Sequence, residues 1–294
     1  MADSEHNEPR LDPVTGYKTT GHDWDGIEEL NHPLPRWWLW IFYACIAWSV
    51  VYWFIFPAWP LVWSATGGLI GWNSRTAVDQ EVAALETNRG PMIDRLTSTE
   101  IAAIKDDPEL LDFTRAYGSI AFKENCAPCH GVGGGGSKGY PNLIDDDWLW
   151  GGSIDNIGHT IAYGVRNDNA DSRYSEMPAF GRDGLLSGAE IREVVYYVRS
   201  LADLPVPSSA DLTAGAEIYA RDCASCHGEA GTGDQELGAP NLTDAIWLYG
   251  SDTADMIATV TNARNSSMPA WGERLDPTTV KALTFYVHNL GGGD

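Results

Sequence analysis

Basic residues are scarce in this chain of 294: 19 Lys and Arg stand against 41 Asp and Glu, for a formal net charge of −22. Such a deficit argues against nucleic-acid binding, because phosphates would be repelled. Cysteine is nearly absent. Of five in all, four fall in Cys126-Ala127-Pro128-Cys129-His130 and Cys223-Ala224-Ser225-Cys226-His227. So few leave little for a disulfide framework, and a zinc ribbon would bring its second C-x-x-C within about 20 residues of the first. The glycine run from Gly131 to Gly136 lacks the Lys-Ser/Thr that a phosphate loop requires, and is read as a flexible loop. Long apolar runs are limited to one, Trp37 to Phe56, so the chain has no multi-helix membrane bundle, no copper ligand set and no intramembrane histidine.

What is present is a repeated C-x-x-C-H. This spacing reads as c-type haem attachment: two thiols bond to the haem edge and the adjacent histidine ligates iron from one face. Cys126, Cys129, Cys223 and Cys226 are thus the covalent attachment points of two haems, with His130 and His227 as axial ligands. An electron-transferring iron needs a second axial ligand. Of five methionines, two sit in matched phrases, Met177-Pro178-Ala179-Phe180-Gly181 and Met268-Pro269-Ala270-Trp271-Gly272. Core-filling methionines need no fixed neighbours, whereas a thioether on iron raises the reduction potential. Met177 and Met268 are therefore the candidate sixth ligands. His159 has Ala258 in its place in the second repeat and is read as structural, and His288 as a helix residue. The sequence leaves open whether each methionine caps the iron of its own repeat or that of the other.

The duplication extends beyond the motif. Gly118, Phe122 and Cys126 match Gly215, Tyr219 and Cys223 in identical spacing; Pro141-Asn142-Leu143 matches Pro240-Asn241-Leu242, and Trp148-Leu149-Trp150-Gly151 matches Trp247-Leu248-Tyr249-Gly250. Each repeat reads as all-α: a helix into the haem motif, a Gly-rich loop, a middle helix from about Ile154 or Thr253, the methionine loop, and a last helix. Ser187 and Asp276 are the expected N-caps of those last helices, Ser187 with Glu190 as a capping box.

The fold expected is all-α, with one N-terminal transmembrane helix followed by two tandem class I cytochrome c-like domains. Its parts are an N-terminal segment (1–36), the membrane helix (37–56), a tether (57–112) and cytochrome c domains at 113–204 and 208–294, joined by a Pro/Ser-rich linker. The membrane helix is about 20 residues long, enough to span, with aromatic clusters at both ends. Mostly polar, acidic residues precede it, so it reads as a retained anchor in place of a cleaved signal. A second apolar run, Leu61 to Trp72, is too short to span. Arg36 flanks the N-terminal side, and haem attachment takes place outside the bacterial cytoplasmic membrane. The N-terminus is therefore placed in the cytoplasm and the haem domains in the periplasm of a single-pass inner-membrane protein. The second domain is the more acidic, at −8 over 208–294 against −4 over 113–204. It is the expected docking face for a basic periplasmic cytochrome c.

The chain resembles the CcoP/FixP family, the di-haem subunit III of cbb3-type cytochrome c oxidase. The resemblance is carried by Thr20-Gly21-His22-Asp23-Trp24-Asp25-Gly26-Ile27 and Asn31-His32-Pro33-Leu34-Pro35-Arg36-Trp37-Trp38, by Asp106-Asp107-Pro108-Glu109-Leu110-Leu111, by Asp145-Asp146-Asp147-Trp148-Leu149-Trp150-Gly151-Gly152, and by Ser175 to Gly181. It implies assembly with a haem-copper catalytic subunit and a mono-haem cytochrome subunit. Electrons would come from a periplasmic cytochrome c, and the oxygen chemistry would lie in the partner, so no catalytic residue is expected in this chain. By position, the family's haem residues fall on the eight already named. The prelude from His22 to Trp38 is expected to contact partner subunits. Two other readings share the haem motifs. A free-standing membrane-anchored di-haem cytochrome would purify alone in mild detergent, and a di-haem peroxidase would need one iron with a displaceable sixth ligand.

Overall fold

A computed structural model describes residues 8–293, which divide after Thr87 into two compact units. The first begins with a hairpin that the all-α expectation omitted. Strands β1 (Thr19–Trp24) and β2 (Ile27–Leu30) pair antiparallel. Asp25 and Gly26 turn the chain, both with positive φ (53° and 89°), the twist that suits a two-residue hairpin.

Helix α1 (Arg36–Ile55) has no buried residue and a mean hydropathy of 1.7, and by length and composition it can cross a membrane. Ser49 Oγ donates to Cys45 O at 2.8 Å, so its hydroxyl is satisfied within the helix. The chain then folds back: the amides of Leu69 and Ile70 donate to Phe54 O and Ile55 O at 3.0 and 3.4 Å. The second apolar run thus supplies donors to carbonyls that the end of a helix leaves unpaired. Helix α2 (Ser74–Ser98) follows.

In the second unit, the 3-10 turn Ile101–Asp106 leads into α3 (Pro108–Asn125). Helices α4 (Ala127–His130), α5 (Ile154–Tyr163) and α6 (Gly188–Leu201) complete the first repeat; α7 (Leu212–Asp222), α8 (Ala224–His227), α9 (Thr253–Asn262) and α10 (Pro277–His288) form the second. The caps fall where the sequence places them. Ser187 and Glu190 form a reciprocal capping box, and Asp276 accepts from the amides of Thr278 and Thr279.

Two haem-motif cores result, and each draws on both repeats. Core A gathers Ala121, Phe122 and Cys126 with Ile157 and Ile161 from the first repeat, then Leu283 and Val287 of α10 from the second. Core B gathers Ile218, Tyr219 and Met256 from the second repeat with Phe180, Ile191, Val194 and Val195 from the first. The last helices are exchanged: α10 packs on α3, and α6 packs on α7. Matched glycines make the crossings close. A Cβ on Gly118 would lie 2.6 Å from Ala282 O and 2.8 Å from Tyr286 Cβ, and one on Gly215 would meet Glu193 O and Tyr197 Cβ. Only residues 202–211 separate α6 from α7, a connection short enough to favour an antiparallel pair of neighbours. Buried Arg199 holds that connection, its Nε and Nη2 donating to Pro205 O at 3.1 and 3.0 Å and its Nη1 to Ser251 O.

The segment expected as a tether to residue 112 is packed well before that. Leu96, Ile104 and Leu110 form a third apolar cluster with Ala282 and Phe285, and Met92 packs against it. Arg95 pairs with Asp107 and, at 2.7 Å, with Glu109. Lys281 Nζ donates to the carbonyls of Leu96 (2.9 Å), Thr97 (3.1 Å) and Thr99 at the end of α2.

Candidate haem sites

Each C-x-x-C-H forms one helical turn. The amide of His130 donates to Cys126 O at 2.9 Å and that of His227 to Cys223 O at 3.0 Å, so the two thiols three positions apart share a face. Gly131 and Gly228 end the turns with φ of 79° and 77°. Cys126 is buried and Cys223 nearly so, and burial pushes both thiols up to about 11. Cys129 and Cys226 are exposed.

The histidines are held alike. His130 Nδ1 lies 3.0 Å from Pro141 O and His227 Nδ1 lies 3.0 Å from Pro240 O. A carbonyl only accepts, so each Nδ1 carries the proton and each Nε2 keeps its lone pair for a metal. Burial lowers both imidazole pKa values, against the opposing effect of the carbonyls, and keeps the rings neutral. The repeated Pro-Asn-Leu phrase thereby has a function: its first residue supplies the acceptor. The sequence marked the phrase but not this role.

The methionine loops cross between repeats. Met268 packs against core A, which holds Cys126, and Met177 against core B, as does Cys223. Met268 exchanges backbone hydrogen bonds with Val165 at 2.9 and 3.0 Å, and Asn167 Nδ2 donates to Met268 O at 2.8 Å. In the counterpart, the Met177 amide donates to Asn265 Oδ1 and Asn265 Nδ2 donates to Met177 O, both at 3.3 Å. Gly181 and Arg182 also donate to Thr261 O, at 3.1 and 2.8 Å. Asn167 and Asn265 were not singled out from the sequence, although Arg166-Asn167 and Arg264-Asn265 are one more matched pair. His159 takes no part: its Nε2 donates to Asp171 O at 3.0 Å.

A neutral imidazole, a thioether and two thiols on one turn suit haem c and its iron. Among the described residues, no group of three His, Cys, Asp or Glu is placed to hold a bare metal ion. Trp148 and Leu143 line core A; Trp247 and Leu242 line core B. Between the loops of the two repeats lies a cleft of about 450 Å³ whose walls include Asp146, Asp147, Asp234 and Asp244. Burial, with Asp244, Asp145 and Asp146 nearby, pushes the Asp147 carboxyl up to about 6.

Comparison with known proteins agrees along the chain. A family profile described as the N-terminal domain of cytochrome oxidase-cbb3, FixP, matches residues 16–62. A second, described as cytochrome C oxidase, cbb3-type, subunit III, matches 116–198 and 210–287. The chain is 54% identical over 288 residues to the cbb3-type cytochrome c oxidase subunit FixP of Azorhizobium caulinodans, covering 98% of this chain and 97% of that one. It is 50% identical over 279 residues to the subunit CcoP of Cereibacter sphaeroides, covering 94% and 95%. To the FixP of Rhizobium meliloti it is 44% identical over 286 residues, covering 97% and 98%.

Proposed function

The chain belongs to the FixP/CcoP family of cbb3-type cytochrome c oxidase subunits, and from that premise we propose how it carries electrons. It binds two haems, each covalently, through Cys126 and Cys129 and through Cys223 and Cys226. His130 with Met268, and His227 with Met177, would hold the two irons. The observation that carries this assignment is the reciprocal seating of the two M-P-A loops, each held by an asparagine of the opposite repeat. When bound, each haem iron supplies a one-electron couple. The chain's own residues keep the histidines neutral and oriented, and Met177 and Met268 would supply each iron with a thioether ligand in place of a substrate. Such filled sites favour relay over peroxidase chemistry.

Helix α1 anchors the chain with its N-terminus in the cytoplasm and the second unit in the periplasm. The partners are the haem-copper catalytic subunit and the mono-haem cytochrome subunit of the oxidase, with the hairpin prelude on the inner side. A basic periplasmic cytochrome c docks on the acidic second repeat, and attraction of opposite charge speeds encounter at low salt.

Single-haem chains test the assignment. In a Cys126→Ala/Cys129→Ala chain the remaining haem is held at His227. Met177→Ala is expected to turn that haem from low-spin to high-spin, and Met268→Ala to leave it low-spin. The opposite result would restore pairing within each repeat. Co-purification of the unsubstituted chain in mild detergent, with haem b and copper assayed in the product, tests its place in the oxidase; a chain that purifies alone would favour the free-standing cytochrome.

A further inference from the structure

The W-L-x-G segments have a further role in the fold. Trp148 lies in core A, but Trp150, two residues on, is buried against Gly238 in the second repeat. The approach is so close that a Cβ on Gly238 (φ +60°) would clash with the Trp150 ring. In mirror fashion Trp247 lies in core B, while Tyr249 covers Gly139 of the first repeat, its ring 3.4 Å from where a Cβ would stand. Gly139 also donates its amide to Leu248 O at 2.8 Å. An arginine lies over each ring, Arg173 over Trp150 at 5.5 Å and Arg264 over Tyr249 at 5.1 Å. Tyr249 Oη is further tied to Ser266 Oγ at 2.6 Å.

Both glycines occupy pinched loops. Ser137 and Tyr140 close the first by paired backbone bonds, and Asp234 and Ala239 the second. The next residue along is Pro141 in one and Pro240 in the other, whose carbonyls hold His130 and His227. A ring pressed on the glycine therefore fixes the oxygen two residues away.

We propose that Trp150 and Tyr249 are reciprocal positioning residues: each sets the histidine hydrogen bond of the opposite haem site and so couples the two sites' reduction potentials. The W-L-x-G segment is the link, with one aromatic in the pocket of its own site and the other on the histidine loop of its neighbour. A carbonyl accepting from a ligating imidazole makes that ring more basic and a stronger donor. Loosening the loop weakens the bond and raises the potential of that site. This inference rests on His130 and His227 being axial ligands.

The test uses the full haem-loaded chain in detergent, with the ferric-shifted haem methyl resonances followed in a potentiometric titration. The two haems are assigned by the resonances lost in Met177→Ala and Met268→Ala. Trp150→Leu is expected to raise the reduction equilibrium constant of the His227 haem by threefold or more, tenfold being about 59 mV for one electron. Exchange of the His227 ring N–H with solvent is expected to quicken as well, with the His130 haem unmoved. Tyr249→Leu should do the converse. Trp150→Phe, which keeps a ring on Gly238, should restore the unsubstituted values; should Trp150→Leu fail to fold, the Tyr249→Leu arm decides. A shift confined to the haem of the substituted repeat, an equal shift at both, or no shift at either would overturn the coupling. An unsubstituted chain lacking two low-spin His/Met haems would overturn the ligand assignment instead.

Discussion

Pro141 and Pro240 act through main-chain oxygens, so the hydrogen bonds that orient the two histidines depend on loop position and not on a removable side chain. The asparagines that seat the methionines are removable. Asn265→Ala deletes both side-chain bonds to Met177, at about 1 kcal/mol each. It is expected to increase carbon monoxide binding to the reduced protein at one haem only, the one on His227, and equal reactivity at both would count against the crossed seating. Asp147 offers a pH test. Its folded-state pKa is pushed up to about 6 from an ordinary 3.8, so the folded state binds that proton more tightly than the unfolded one. The destabilisation from its charge is absent below the unfolded value, grows as pH rises between the two, and is full above about 6. Asp147→Asn should therefore melt with the unsubstituted protein at pH 4 and above it at pH 7. Because the carboxyl is half exposed and screened, the gain is about 2–4 °C; a difference that shrinks with rising pH would contradict it. At this scale the eight residues proposed to hold the haems stand out in the sequence because haem c chemistry fixes their type and spacing. Asn167 and Asn265 carry only the Arg-Asn match as a signal, since an asparagine bonding a distant carbonyl has no further local pattern.

Helices show the same division. The caps at Ser187 and Asp276 are local chemistry and stand where the sequence places them. The hairpin turn is signalled by Asp25-Gly26, but strands of six and four residues leave no helical periodicity to mark them. Gly118 and Gly215 were visible as matched positions, yet their purpose appears only with the crossing helices in place. Gly118→Ala would press a methyl against Ala282 O and Tyr286, and overpacking of this kind costs about 1–3 kcal/mol. Chemical denaturation of the haem-loaded chain should register that loss, with the haem on His130 losing its low-spin methionine ligation first; loss of low-spin character at the His227 haem first would argue against α10 belonging to core A. Nor does the helical pattern of α2 reveal that its end is held by Lys281, 185 positions from Leu96.

On the scale of the whole molecule, duplication both revealed the architecture and concealed its wiring. Each first helix offers a glycine and an aromatic, and each last helix a tyrosine, Tyr197 or Tyr286, to meet them. Either last helix satisfies either first helix by pattern alone, so periodicity cannot choose. The ten residues joining α6 to α7 were the available clue, since so short a connection favours neighbours. A fragment spanning 113–204 is accordingly expected to lack core A's last helix and Met268, and any haem it attaches at His130 should be high-spin; a low-spin, cooperatively melting fragment would refute the exchange. The same wiring orders the protein's birth. Synthesis proceeds from the N-terminus, and the first haem motif emerges well over a hundred residues before the helix that closes it. The first pocket to be started is among the last to be finished, so the nascent chain presents Cys126 and Cys129 on an open half-shell until its final turn of helix is made.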